Sequence, residues 1–352
     1  CSLAVKRYKT VLLTMGIPMS SFFQRLNAVN APSIGLGCMS LSHGYGSIVP
    51  ESAALRALDE AFDMGYRHFD TATLYGATAN ESVVGRALEG KRHQLFLASK
   101  CGMAMDPESG KRVIDGRPET LRKQCEASLA RLRTDHLDLY YLHRLDRQVP
   151  IEESVGALGR LVEEGKIGGV GLSEVSALTL RRAVAEYPIA AVQSEYSLWT
   201  RNLEIALIDA CREVGAALVA FSPLGRGFLT GAIQDPARLE EGDMRRNMPR
   251  FSAENYPHNI KLFERLASLA RALNVTPGQL ALAWLKAKGG DIIPIPGTRS
   301  ADHMRENLAA ETLHLDVTTM QQLDAMMTPE QVAGARYSEA QQADIDTEEF
   351  TR

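Results

Sequence analysis

The stretch Arg67-His68-Phe69-Asp70-Thr71-Ala72-Thr73-Leu74-Tyr75-Gly76, followed by the amphipathic run Asn80–Leu88 and the apolar run Leu95–Ser99, decides how this chain is read. A short β-rich run, a stretch with helical periodicity and a second β-rich run make one strand–helix–strand unit with parallel strands. The same unit recurs on both sides. Further strands are predicted at Ile34–Cys38, Leu137–Leu142, Gly168–Gly171, Ala191–Gln193, Ala217–Phe221 and Ile292–Ile295. Between them lie predicted helices at Glu51–Met64, Pro118–Leu132, Ile151–Glu164, Ala177–Glu186 and Leu203–Val214. Pro118 stands near a helix start, where its missing N–H costs little. Gly65, Gly165 and Gly215 follow helices, as a left-handed cap requires.

About eight such units over about 300 residues, without a linker, fit a closed α/β barrel of the (β/α)8, or TIM, type. A doubly wound open sheet is the structural alternative, but no G-x-G-x-x-G follows the first strand. The rhythm breaks twice. Gly225 to about Tyr256 is rich in Gly, Pro, Arg and Asn and reads as a long functional loop before the last helices and strand. Residues 331–352 read as a polar, peripheral tail, residues 1–30 as an ill-defined extension, and 31–330 as the barrel domain.

The 352 residues are 45% apolar and 23% charged, enough for a large core, and 39 basic against 43 acidic side chains leave a formal charge of −4. Nothing in that balance calls for a nucleic-acid partner. No apolar run approaches the roughly 20 residues that span a bilayer. Cys1, Cys38, Cys101, Cys125 and Cys211 are odd in number and scattered, which argues against disulfides or a zinc site and for a reducing, cytoplasmic setting. No Asp or Glu precedes Glu51, while Lys6, Arg7, Lys9 and Arg25 are basic; a transit peptide can look like this, and Val11-Leu12-Leu13 could be a weak signal core.

In parallel barrels the catalytic groups stand at the C-terminal ends of strands. Here those ends carry Asp70 with Tyr75 close behind, Lys100, and His143. Each has an ordinary explanation alone: a turn-forming Asp, a rim Tyr, a solvated or Schiff-base Lys as in barrel aldolases, a packed His. Together they make a proton-transfer device. Tyrosine ionises near pH 10, a lysine ammonium favours its phenolate, an aspartate balances the lysine, and a histidine donor orients a substrate oxygen. Reducing a carbonyl with a nicotinamide needs such an acid beside a hydride donor.

The chain resembles the aldo-keto reductase superfamily in an ordered set of phrases. These are Gly35-Leu36-Gly37-Cys38-Met39, Phe69-Asp70-Thr71-Ala72 with Tyr75-Gly76, Ser99-Lys100, Asp138 through Arg144, and Gly171-Leu172-Ser173-Glu174. The set continues with Gln193 through Leu198, Ser222-Pro223-Leu224-Gly225-Arg226-Gly227, Pro294 through Arg299 and Glu306-Asn307-Leu308. The phrase Gln193–Arg201 is similar to the branch holding perakine-reductase-like and pyridoxal-reductase-like enzymes. The resemblance implies an NADP-dependent oxidoreductase that reduces aldehydes or ketones, an EC 1.1.1 alcohol dehydrogenase type, with Asp70, Tyr75, Lys100 and His143 as tetrad and Tyr75 as proton donor. It implies NADPH extended across the barrel mouth. Ser173 and Gln193 would hold the carboxamide, and Tyr196 would stack on the nicotinamide. Ser222, Leu224, Gly225 and Arg226 would line the pyrophosphate. Gly297, Thr298 and Arg299 would hold the 2′-phosphate, with Glu306 and Asn307 near the adenine. A guanidinium suits a phosphate's acceptor geometry.

There are departures. Glu174 stands where the family most often has Asn, His303 where many members have a second phosphate-binding Arg, and no N-terminal β-hairpin is recognisable before Ser33. Substrate walls are expected from His43, Tyr45, Trp199 and the segment Arg226–Tyr256. Within that segment Met244, Arg245, Arg246 and Arg250 either fold over the cofactor or form a solvated basic loop. No metal site is expected, and the partner is a small carbonyl compound with the chain as monomer or weak homo-oligomer. Two competing readings are a nucleotide-sensing regulatory subunit of the same fold and a Schiff-base aldolase using Lys100.

Overall fold

The computed structural model describes residues 21–42, 44–106 and 108–350. The expectations for residues 1–20 and for His43 lie outside them. Eight parallel strands pair in chain order: Leu36–Gly37, His68–Asp70, Phe96–Cys101, Leu139–Leu142, Val170–Ser173, Ile189–Glu195, Ala217–Phe221 and Ile292–Pro294. The first and last strands meet as well, through Gly35 N to Pro294 O at 3.0 Å and Gly37 N to Pro296 O at 3.3 Å. The sheet therefore closes on itself, the (β/α)8 barrel read from the sequence. Glycine is needed at that seam: a Cβ on Gly37 would stand 2.8 Å from the Ile295 carbonyl oxygen.

Helices fill the connections, and local chemistry starts and stops them. Ser176 and Thr276 accept bonds from the Thr179 and Gln279 amides, Pro118 and Pro277 open their helices, and Gly65, Gly165 and Gly215 follow helix ends with positive φ. Leucines on the inner helix faces, such as Leu121, Leu158, Leu180 and Leu280, are fully buried against the outer face of the strands.

Four features differ from the sequence reading. The strand beginning at Ile189 runs on to Glu195, and that following Gly168 starts only at Val170. Lys100 lies within the third strand, which is followed by an unforeseen antiparallel hairpin, Met103–Met105 with Arg112–Ile114. The extension does not run to residue 30. Ser21–Ala28 is a helix whose Phe22, Phe23 and Leu26 are buried among Phe96, Leu139, Tyr141 and Ile293, closing the barrel floor. Full burial of each phenylalanine contributes about 1.5–3 kcal/mol, so this helix belongs to the core.

The tail is the fourth correction. It is not peripheral: Arg336, Tyr337, Ile345 and Thr347 are buried. Glu174 O accepts the Asp346 amide at 2.9 Å, and Asp346 in turn accepts from Ser176 and Thr179. The segment lies over the C-terminal ends of the strands.

Candidate functional site

Asp70, Lys100 and His143 come from three neighbouring strand ends, and Tyr75 from the turn after the second strand. Register sets them side by side: Asp70 pairs with Ala98, and Lys100 with Tyr141. Lys100 Nζ is ion-paired with Asp70 and donates to the Thr71 carbonyl at 2.8 Å and to the Tyr75 hydroxyl at 3.2 Å. The Tyr75 and His143 rings meet edge to face with centroids 5.8 Å apart. Gln193 Nε2 donates to the second Asp70 oxygen at 2.8 Å. The four predicted residues are thus brought together, and all are buried.

Burial sets the electrostatics. It pushes the Tyr75 phenol above its ordinary value, and the Lys100 charge opposes this without reversing it. The expectation that lysine lowers the phenol outright is corrected here: desolvation wins, and Tyr75 keeps its proton across neutral pH. That is the state a general acid needs. Burial also weighs against the Lys100 charge, but Asp70 and Tyr75 outweigh it and hold the ammonium above its usual value. An ammonium held charged among three acceptors is a poor Schiff-base nucleophile.

A cavity of about 740 Å3 opens from this group across the barrel mouth. At the tetrad end it is lined by Leu74, Tyr75, Met103, His143, Arg144, Ser173 and Gln193; along its length by Phe221, Ser222, Pro223, Leu224 and Arg226; and at the far end by Gly297, Thr298, Arg299, His303, Glu306 and Asn307. Tyr45, Met244 and Arg245 also line it, with the Arg245 guanidinium 4.9 Å from the Tyr45 ring centre.

Some predicted residues are not there. Tyr196 is fully buried behind the wall, its hydroxyl on Glu204 and its ring 5.4 Å from that of Trp284. It cannot stack on a ligand in the cavity. The next side chain of the strand ladder can: Phe221, paired in register with Glu195, lines the groove. An aromatic residue directly before Ser222-Pro223-Leu224 was the available signal. Trp199 is core, stacked on Phe228 at 3.9 Å, and Arg250 donates to the Trp199 carbonyl beneath the mouth. Gly225 does not line the groove; it has φ +57, and a Cβ there would stand 2.7 Å from Trp199 Nε1. Arg226 does reach the cavity but is already paired, with Glu195 at 2.7 Å and the Tyr337 hydroxyl at 2.9 Å.

Sequence reasoning missed the tail's share. Tyr337, Gln341, Asp344 and Ile345 line the cavity, and Asp344 ties the tail to the hairpin by an ion pair with Arg112. Glu174, the departure beside Ser173, binds Arg336 through both oxygens and accepts the Glu195 amide at 2.8 Å. Burial raises the Glu195 carboxyl, yet Arg226, Arg336 and Arg250 together hold it below the usual range. Among the described residues no cluster of metal-ligating side chains occurs.

The comparisons agree with the fold. The sequence profile of the Aldo/keto reductase family matches residues 33–328. The chain is 43% identical over 324 residues to the aldo-keto reductase yakc [NADP(+)] of Schizosaccharomyces pombe, covering 91% of this chain and 95% of that protein. Among solved structures, a glycerol dehydrogenase from Gluconobacter oxydans superimposes with a TM-score of 0.77 at 27% identity, covering 84% of this chain and 92% of the other. An aldo/keto reductase from Klebsiella pneumoniae, in complex with NADP and acetate, gives 0.65 at 26% identity over 90% and 95% of the two chains. The chain belongs to the aldo/keto reductase family.

Proposed function

We propose that this protein reduces aldehydes or ketones to alcohols with NADPH, and that Tyr75 delivers the proton. The contact of the Tyr75 hydroxyl with Lys100 Nζ at 3.2 Å, beside the His143 ring, carries the reading.

The groove suits the cofactor's chemistry. Arg299 at its far end makes no direct ion pair among the described residues and donates to the Ser47 carbonyl; Glu240, held on the same Ser47, feels its charge without touching it, which leaves the guanidinium able to meet a 2′-phosphate. Thr298 and His303, 3.3 Å apart, stand beside it, with Glu306 and Asn307 next along the helix. Ser222 and Leu224 border the middle, and Ser173 and Gln193 offer a hydroxyl and an amide to the carboxamide. Phe221 takes the stacking place first given to Tyr196. When bound, the cofactor supplies a hydride to the carbonyl carbon.

The protein's part is the other half of the reaction. His143 orients the carbonyl oxygen, and the Tyr75 O–H bond breaks as that oxygen takes the proton. The phenolate left behind lies against the Lys100 ammonium, which Asp70 keeps in place. The proton on the alkoxide and the hydride on carbon complete the alcohol. Four buried free thiols, Cys38, Cys101, Cys125 and Cys211, fit a reducing cytoplasmic location. The test is loss of NADPH absorbance on adding members of an aldehyde panel, with the alcohol identified as product. Cofactor binding without turnover of any member would reject the reading.

A further inference from the structure

The tetrad end of the groove holds a guanidinium that has no counter-ion among the described residues. Arg144 directly follows His143, is half-buried, and lines the cavity with Tyr75 and His143. The arginines Arg112, Arg226 and Arg245 on the same cavity are matched, by Asp344, Glu195 and Asp243. Of the described arginines that line it, only Arg144 and Arg299 make no ion pair. They stand at opposite ends.

An unmatched cation on a partly desolvated wall is costly unless a ligand supplies the anion. For Arg299 the proposed cofactor has one, its 2′-phosphate. For Arg144 it has none, because the nicotinamide end carries a neutral carboxamide and the pyrophosphate falls beside Ser222 and Leu224. The charge is left for the second ligand. Geometry says which kind. Arg144 Nη1 is committed to the His143 carbonyl at 2.6 Å and to Ser173 Oγ at 3.2 Å. The Nε–Nη2 edge remains, and its two parallel N–H groups match the two oxygens of a carboxylate.

We infer that Arg144 receives a carboxylate on the carbonyl substrate, so that the preferred substrates are oxo acids whose carboxylate lies within the span from Arg144 to Tyr75. This rests on the reductase reading. Tyr75 and His143 take the carbonyl oxygen while Arg144 holds the other end. The bonds of Nη1 keep the guanidinium from swinging out to water.

The test compares an acid with its neutral ester, para-formylbenzoate against methyl para-formylbenzoate, and succinate semialdehyde against butanal. With NADPH, wild type should favour each acid in kcat/KM by about tenfold, the worth of one charge-assisted contact. The advantage should shrink as ionic strength rises. In Arg144→Gln, which still offers a donor to Ser173, the acid-to-ester ratio should fall to about one, through a raised KM for the acid. Arg144→Lys, which keeps the charge but loses the fork, should fall between. A wild-type ratio at or below one overturns the assignment, as does a ratio that Arg144→Gln leaves unchanged. If Arg144→Gln does not fold, the wild-type ratio, its salt dependence and Arg144→Lys decide. Wild type that turns over neither acid nor neutral partner overturns the reductase reading itself, and the assignment with it.

Discussion

Replacing Arg336 by methionine strands a buried carboxylate. Glu174 and Arg336 are 0% and 4% exposed, and the guanidinium meets both oxygens, Nη1 to Oε1 at 3.3 Å and Nη2 to Oε2 at 2.5 Å. After the substitution the Glu174 carboxylate keeps, among the described residues, only the Glu195 backbone amide as donor. Removing one member of a buried ion pair costs about 3–5 kcal/mol. The chain can relieve part of this by lifting the tail, which is held elsewhere: Tyr337 on Arg226 at 2.9 Å, and Asp346 on Thr179 at 2.6 Å. The loss is therefore expected at the lower bound, about 3 kcal/mol of unfolding free energy by urea titration. Amides around residues 336–347 should exchange faster than those of the strands. The double variant Glu174→Gln/Arg336→Met buries no lone charge and should recover most of the loss. Wild-type stability in the single variant, or no recovery in the double, would refute the argument.

Two further outcomes follow from the same physics. Burial, and then the Lys100 charge, pull the His68 imidazole down to about 3. The unfolded chain takes up that proton near pH 6.5, so stability should hold above that pH and fall below it by about 1.4 kcal/mol per unit. His68→Leu should flatten the slope between about pH 6 and 4 by one proton, and an unchanged slope in urea titrations would contradict the burial argument. Phe221→Ala should weaken NADPH binding several-fold in a fluorescence titration, at about 0.5–1.5 kcal/mol for a lost stacking partner. Tyr196→Leu, which removes the ring packed behind the wall against Trp284, should leave that affinity as it is in the folded protein; the reverse pattern would restore Tyr196 as the stacking residue.

The repeating units were legible because a barrel strand and its covering helix have different periods, and a switch between them can be counted. The tetrad was legible for the same reason: once strand ends are located, Asp70, Lys100 and His143 fall at neighbouring ends. Tyr196 was misplaced because it lies one residue past a strand end, where alternation no longer dictates direction, and the Glu204 carboxylate drew its hydroxyl outward. The tail misled for another reason. A polar segment looks solvated unless its charges have buried partners, and Glu174 is 162 residues from Arg336. No local pattern announces a pair at that separation. The floor helix did carry a local signal, since Phe22, Phe23 and Leu26 fall on one helical face. So did the hairpin, whose turn is built by Asp106 accepting the Glu108 and Ser109 amides.

Everything proposed for the reaction depends on one O–H bond, and Tyr75→Phe removes it while keeping the ring against His143. Steady-state aldehyde reduction by this variant, set beside its NADPH dissociation constant, is the most direct measurement. The account predicts that kcat falls by at least about a hundredfold while NADPH binds as before. A Tyr75→Phe enzyme that still reduces aldehydes at a rate close to wild type would contradict it.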